Sequence, residues 1–305
     1  MTATSEGDSG APSGGGNASE DDWRKILHSR PVQSEKTGVY DPRNTLNDLT
    51  GKQWKFSTRS VITKQYPPDL QFQLRSKHGG QKPPRLCADL IETFTKRGEL
   101  VLDPFAGVGG TLLGASLCGR RAVGIDINSK WVQIYKEVCR LENIKEQVIS
   151  VGDSRKLLVD EGRFETRSVD FILTDVPYWN MHKVKQTRAK SYGRSRLSRF
   201  DEEPTKSKDD WLEDMCLVFS QCQRILKKGK YMAVFIGDMY HGSQYYMLHA
   251  DLAKVISDRD IDRTRLVLKA NLIWYDVSKK LHIFGYPKVF IPSLIHQDIL
   301  VFRKE

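Results

Sequence analysis

The chain has little that would place it outside a reducing compartment. It carries five cysteines in 305 residues, an odd number, and no two of them form a Cys-x-x-Cys pair. A disulfide framework and a structural zinc site are therefore not expected. Cys87, Cys118, Cys139, Cys216 and Cys222 read instead as buried thiols in a reducing cytosol. No apolar run approaches the roughly 18 residues of a membrane span. Nor does the N-terminus show the basic-then-apolar order of an export signal. The expectation is a cytoplasmic protein with no membrane partner and no metal site.

Hydrophobic residues are also sparse, at 39%. Residues 1–22 account for part of the deficit. They are rich in Gly, Ser, Ala and acidic side chains and have no apolar period, which predicts a disordered tail. About 280 residues remain, enough for one substantial core, so a single domain over 23–305 is expected. Acid is missing between Lys183 and Arg199, where seven Lys or Arg stand with no Asp or Glu. The whole chain carries a net charge of +10. A basic surface concentrates polyanions, so nucleic acid is a natural partner. Many basic proteins have no such partner, and charge alone does not decide.

Strands and helices alternate through the middle of the chain. A helix is predicted over Pro84–Lys96, where Leu86, Leu90, Ile91 and Phe94 recur at helical spacing. Strand Glu99–Leu102 then runs into Asp103-Pro-Phe-Ala-Gly-Val-Gly-Gly-Thr111, and a helix follows to Cys118. Next come strand Ala122–Asp126, helix Lys130–Glu142 and a third strand ending at Val151. A fourth strand, Val169–Thr174, leads into Asp175-Val-Pro-Tyr-Trp179. After the basic stretch, a helix is predicted over Asp209–Lys228 and a strand over Tyr231–Ile236. Two β runs, Leu266–Val277 and Asp298–Phe302, read as an antiparallel pair closing the sheet. The pattern predicts an α/β fold with a Rossmann-like, doubly wound, mostly parallel sheet and an antiparallel closing strand.

Two strand ends carry chemistry. At the first, Gly107-Val-Gly-Gly110 lets the backbone bend sharply and approach a ligand closely. Asp126 lies 19 residues after Gly107, at the end of the next strand, where an acid usually holds ribose hydroxyls. A dinucleotide turn would need glycine at Leu112, and a phosphate loop would need a lysine after Gly110. An ordinary tight turn is the bland alternative, which Asp126 disfavours. The start, Asp103-Pro-Phe105, favours S-adenosylmethionine: an acid there can lie near the amino end of methionine and would repel a pyrophosphate.

The second strand end is Asp175-Val176-Pro177-Tyr178. Ligands of open α/β sheets bind at the carboxyl ends of the strands, so this motif should share a cleft with the glycine turn. An exocyclic base amine is a poor nucleophile because its lone pair is delocalised into the ring. A carboxylate accepting one N–H and a backbone carbonyl accepting the other would draw the nitrogen toward tetrahedral geometry. Pro177 stiffens the turn, and Tyr178 offers a face on which a base can stack. A strand-end turn with a packing aromatic is the competing reading.

These motifs resemble the DNA amino-methyltransferases that make N6-methyladenine or N4-methylcytosine, over most of residues 44–305. Lys77-His-Gly-Gly-Gln-Lys-Pro-Pro-Arg85 is similar to the family's cofactor-side motif, with Lys82 and Pro83 within it. Asp103, Pro104, Phe105, Gly107, Gly109 and Thr111 stand in the Asp-Pro-Phe-x-Gly-x-Gly-Thr pattern. Asp126 and Ile127, with Asp153 and Ser154, stand where the family meets ribose and adenine of the cofactor. Asp175 to Tyr178 resembles the catalytic Asp-Pro-Pro-Tyr, with Val176 in place of the first proline. Trp211–Gly229 and the closing strands, with Ile273-Trp-Tyr275 and His296–Lys304, resemble the rest.

The resemblance implies a class I methyltransferase fold, S-adenosylmethionine as cofactor, and direct transfer to a base extruded from duplex DNA. Asp in first position leans toward adenine. Double-stranded DNA is the implied partner, a restriction endonuclease a second one, and the nucleoid the implied place of action. Residues 23–179 would form the cofactor half, 180–208 a basic loop, and 209–305 the second half with the target-recognition region. Many relatives place the catalytic motif before the cofactor motif; here the cofactor half comes first. Lys183, Lys185, Arg188, Lys190, Arg194, Arg196 and Arg199 are the expected DNA-phosphate contacts. Two rivals stand beside this reading: an RNA or tRNA base methyltransferase, and an inactive DNA-binding homologue.

Overall fold

A computed structural model describes residues 32–34, 38–179, 207–241, 243–277 and 279–305. The predicted tail and the seven basic residues from Lys183 to Arg199 lie outside the described residues. The strands are β1 (Val32–Ser34), β2 (Gly38–Tyr40), β3 (Val61–Ile62), β4 (Leu100–Asp103), β5 (Arg121–Asp126), β6 (Val148–Val151), β7 (Val169–Asp175), β8 (Leu226–Ile236), β9 (Met239–His241), β10 (Gln244–Tyr246), β11 (Asp260–Ile261), β12 (Thr264–Tyr275) and β13 (His296–Lys304). The helices are α1 (Gly51–Ser57), α2 (Phe72–Arg75), α3 (Pro84–Phe94), α4 (Gly110–Leu117), α5 (Ser129–Leu141), α6 (Ser154–Leu157), α7 (Lys208–Ile225) and α8 (Leu248–Ser257).

One large sheet runs in the order β11-β12-β13-β8-β7-β4-β5-β6, with β3 paired to β12. From β6 to β8 the strands are parallel, and β13 lies antiparallel between β8 and β12. This is the class I methyltransferase arrangement that the motifs imply. Strand β7 is buried along nearly its whole length, as expected of a parallel strand covered on both faces. Alternate residues face opposite layers. Val101, Phe171, Leu173 and Phe235 point into the core under α3, α4 and α5. Leu102, Ile172, Val234 and Ile236 point into the core under α7 and α8. Helix α5 buries Trp131, Tyr135, Val138 and Cys139, an apolar stripe at helical spacing. All five cysteines are free and buried. None of the described helices is long and apolar enough to cross a membrane.

The helix predicted to reach Lys228 stops at Ile225, and Leu226 already pairs with Val169 in the sheet. The basic run reads as a helix end because cations suit the helix C-terminus. In the fold, an acid on β7 and another just before β4 claim it. Lys227 meets the buried Asp170 at 2.7 Å, and Lys230 meets Glu99 at 2.6 Å. Within the expected second half, 209–305, helix α8 buries Leu248, Leu252 and Ile256 against the sheet.

The strand order reverses beside β4, where the chain returns from β6 to β7 on the other side. Such a switch point opens a crevice at the carboxyl ends of the strands. Asp103, Asp126 and Asp175 end β4, β5 and β7. Because β13 runs antiparallel, its start, His296–Asp298, reaches the same edge, with Asp298 opposite Ile236.

Candidate active site

A cavity of about 950 Å³ opens at this edge, near the top of the range of roughly 300–1,000 Å³ for small-molecule pockets. Fourteen of the expected site residues line it: Lys82, Asp103, Pro104, Phe105, Gly107, Thr111, Asp126, Ile127, Asp153, Ser154 and Asp175 to Tyr178. Pro83 and Gly109 are not among the lining residues. Pro83 caps α3, and its carbonyl accepts from the Cys87 N–H. Gly109 faces the core: a Cβ there would sit 2.1 Å from Cδ2 of Tyr135, and its φ is +79°. The ring of Tyr135, rather than a ligand, requires a glycine at this position.

The glycine turn is held by carboxylates. Asp126 accepts the Gly107 N–H and the Asn128 N–H, each at 2.8 Å. Asp103 accepts the Phe105 N–H at 3.0 Å and the Thr174 hydroxyl at 2.6 Å, locking β4 to β7. Burial pushes both carboxyls up to about 6. The Ser154 hydroxyl donates to the Pro104 carbonyl, tying α6 to the turn. Asp153 caps α6 by accepting the Arg155 N–H at 2.9 Å, and the Arg155 guanidinium bridges it to Asp214.

Lys82 reaches into the cleft from the loop before α3. Its ammonium ion-pairs with Asp175 Oδ2 and lies 5.3 Å from the centre of the Phe235 ring. The loop is itself fixed by the buried Arg75, which donates to the carbonyls of Asp69, Leu70 and Lys82. Asp175 Oδ1 is buried and has no hydrogen-bond partner among the described residues. Burial raises the Asp175 carboxyl above the usual range, and Lys82 pulls it back toward the ionised form.

The turn after Asp175 is clamped from several sides. Val176 is buried among Trp211, Met215 and Ile236, so the residue in the proline position is a core anchor. Trp211 Nε1 donates to the Pro177 carbonyl at 2.7 Å. The Tyr178 hydroxyl accepts from Gln297 Nε2 and from the Gly237 backbone, and burial raises it well above its ordinary value. Trp179 stacks edge-on against Tyr246 at 5.1 Å between ring centres. Asp238 and Asp298, both nearly buried, flank His249 behind this wall at 2.7 and 3.8 Å.

Trp211, Trp274, Gln297 and His78 also line the cavity, though the motifs did not single them out as site residues. His78 lies in the segment before α3, its ring edge-on to Trp131 at 5.1 Å. Burial and the nearby Lys82 charge push its pKa down to about 4, which keeps the imidazole neutral. A Cβ on Gly107 would come within 3.1 Å of His78 Nε2, so this side of the turn admits little more than backbone.

The residues present fit S-adenosylmethionine. Seven aspartates line the cavity, among them those at positions 103, 126, 153 and 175, and it would receive a cationic ligand. Asp126 on the Gly107 turn would hold the ribose, Asp103 the methionine end, and Asp153 with Ile127 the adenine.

Residues 17–137 and 169–304 match the N6/N4 methyltransferase family model, a family of DNA methylases. The chain is similar to the tRNA (guanine(10)-N2)-dimethyltransferase of Pyrococcus abyssi, with 31% identity over 118 residues, or 39% of this chain and 35% of that protein. It is also similar to the Type II methyltransferase M2.DpnII of Streptococcus pneumoniae, with 36% identity over 104 residues, or 34% of this chain and 36% of that one. The matched part is about a third of the length of these relatives. TrmN from Thermus thermophilus shares the fold, with a TM-score of 0.50 and 16% identity over 80% of this chain and 55% of that one. The chain belongs to the N6/N4 DNA methylase family, and its cofactor is S-adenosylmethionine.

Proposed function

We propose that the protein methylates the exocyclic amino group of a base in DNA, adenine N6 in preference to cytosine N4. One observation carries the reading: Asp175 Oδ1 is a buried acceptor with no partner among the described residues, at the head of the cavity, on a carboxylate held by Lys82. A buried acceptor left unpaired costs free energy unless a ligand donates to it. An amine N–H is such a donor.

When bound, S-adenosylmethionine supplies a methyl group on a positively charged sulfur. The protein prepares the amine. Burial raises the Asp175 carboxyl, and the Lys82 charge beside it favours its ionised form. Asp175 Oδ1 accepts one N–H, the Val176 carbonyl accepts the other, and the nitrogen lone pair is freed from the ring. As the nitrogen gains its methyl it sheds a proton, and Asp175 is the base placed to accept it. Tyr178, fixed by Gln297 and Gly237, offers a ring face to the extruded base. The amine attacks the methyl directly, with no covalent enzyme intermediate, in keeping with the lack of a cysteine in either motif.

The reading carries with it double-stranded DNA as partner, a restriction endonuclease as a second partner, and the nucleoid in the cytoplasm as the place of action. A second reading, methylation of a guanine N2 in tRNA, is favoured by the similarity to the Pyrococcus protein. Labelled S-adenosylmethionine, incubated with DNA or with tRNA and followed by nucleoside analysis, separates the two. N6-methyladenine from DNA is expected. Label confined to guanine in RNA would replace the first reading with the second, and label in neither would remove both.

A further inference from the structure

The connection between β12 and β13 is a closed hairpin whose tip is unusually apolar for an exposed segment. Every residue from Leu281 to Phe290 is exposed. Six are large and apolar, with Leu281 at 76%, Ile283 at 88%, Phe284 at 39%, Tyr286 at 79%, Val289 at 55% and Phe290 at 89% of full exposure. An apolar patch of this kind on a soluble protein marks a contact surface. The tip is built rather than loose. The N–H groups of Lys288 and Val289 both donate to the Gly285 carbonyl at 2.8 Å, and Phe284 bridges Ile291 across the legs. Lower down, Ser293 Oγ accepts the His282 N–H at 2.9 Å and donates to the His282 carbonyl at 3.2 Å.

Position and charge say what meets this tip. The inner side of the hairpin, including Lys280, Phe284 and Pro292, lines the active-site cavity, so the exposed tip stands at its mouth. Between Asp276 and Asp298 the chain has three lysines and no acid, and Lys280 and Lys288 are exposed. A cationic segment with bare aromatic rings suits a polyanion that presents flat apolar faces. A base drawn out of a duplex leaves such a place, an apolar gap between stacked neighbours flanked by phosphates. We propose that this hairpin is a wedge, in which Tyr286 and Phe290 enter the gap left by the target base and Lys280 and Lys288 meet the adjacent backbone. The proposal rests on the reading of the site as one that acts on bases in duplex DNA.

The test compares one genomic DNA in native and heat-denatured form, with tritiated methyl transfer as readout. Tyr286→Ala/Phe290→Ala is expected to lose about tenfold or more on native DNA, because unstacking then goes unassisted. On denatured DNA, where bases are already unstacked, the variant should match the wild type, and its thermal shift with S-adenosylmethionine should be unchanged. Asp175→Ala should lose both activities. Equal loss on the two DNA forms, or loss on neither, overturns the wedge. If the wild type labels neither form, the underlying reading has failed and the wedge falls with it. A wild-type dimer that the variant converts to a monomer on sedimentation would assign the tip to a second copy of this chain. Flotation with anionic phospholipid vesicles that the variant abolishes would assign it to lipid. Either result refutes the proposal.

Discussion

Lys82 holds one oxygen of Asp175, and the other oxygen of that carboxylate is buried without a partner among the described residues. The two residues are separated by 93 positions and arrive from opposite sides of the cleft, one on the loop before α3 and the other at the end of β7. The pair divides the labour of one carboxylate. Oδ2 is bound to a fixed charge, and on the proposed reading Oδ1 is left for the amine. Asp175→Ala should therefore lower kcat by about 10²- to 10⁴-fold, with the affinity for S-adenosylmethionine little changed in equilibrium titration. Retention of full activity would remove Asp175 from the chemistry.

Lys82 predicts a pH effect with a definite sign. Burial raises the Asp175 carboxyl, and Lys82 opposes that rise. In Lys82→Met the larger part of that opposition is gone, leaving only the weaker pull of Lys279, so a smaller fraction of the carboxyl is ionised at any given pH. If the ionised form is the active one, the acidic limb of kcat/KM moves to higher pH and activity recovers as pH rises. Lys82→Arg keeps the charge and should leave the limb close to its original place. A uniform loss in Lys82→Met across all pH values would mean that Lys82 acts only on shape.

Trp211 predicts a change that separates chemistry from cofactor binding. Trp211→Phe keeps most of the buried ring but removes the donor to the Pro177 carbonyl. A buried carbonyl left unpaired costs about 1–3 kcal/mol, and here the loosened element is the turn that carries Asp175. The expected result is a lower kcat with an unchanged KM for S-adenosylmethionine. A rise in that KM with kcat intact would place Trp211 on the cofactor side instead.

Gly109 tests packing rather than catalysis. In Gly109→Ala the new methyl collides with Tyr135 and the backbone sits in the left-handed region. A loss of at least about 2 kcal/mol is expected, seen as a fall in Tm of roughly 5 °C or more. Adding Tyr135→Ala relieves the collision but not the backbone strain, so the recovery relative to Tyr135→Ala alone should be partial. A Gly109→Ala protein as stable as wild type would contradict the geometry.

The strand-end acids predict how stability responds to pH. Asp126 ionises near 3.8 in an unfolded chain and at about 6 in the folded protein, because burial disfavours its charge. Between these values the folded state holds a proton that the unfolded state has released. The stability from this group is therefore present at low pH and lost as pH rises from about 4 to about 6. Urea denaturation of the cofactor-free protein should show Asp126→Asn gaining on wild type across that window. A constant difference would mean that Asp126 is not desolvated.

The features legible in the sequence are those made by neighbours. Asp103, Asp126 and Asp175 were readable because an apolar parallel strand that ends in an acid delivers that acid to the ligand edge of the sheet. The Lys227-Lys-Gly-Lys230 run reads as a helix end because its partners, Asp170 on β7 and Glu99 just before β4, are distant in sequence. Gly109 looks like part of the ligand cradle until Tyr135 is packed against it. Gln297 and Trp211 fall in stretches that resemble the family but carry no local sign of what they hold, since each acts on a turn brought to it by the sheet, across 119 and 34 positions. Val176 shows the converse. The motif lacks a proline there, but the turn is held by a buried side chain and an indole from α7.

The antiparallel course of β13 has a mechanical consequence. A parallel strand in that position would present its far end to the cleft. Here the chain descends from the hairpin tip and within a few residues reaches Gln297, whose amide grips Tyr178. On the proposed reading, the tip and the Tyr178 ring are two ends of one short lever, and force applied to Phe290 by a closing base stack would be transmitted to the floor of the site. A correctly opened duplex would then register as a faster turnover, and not only as tighter binding.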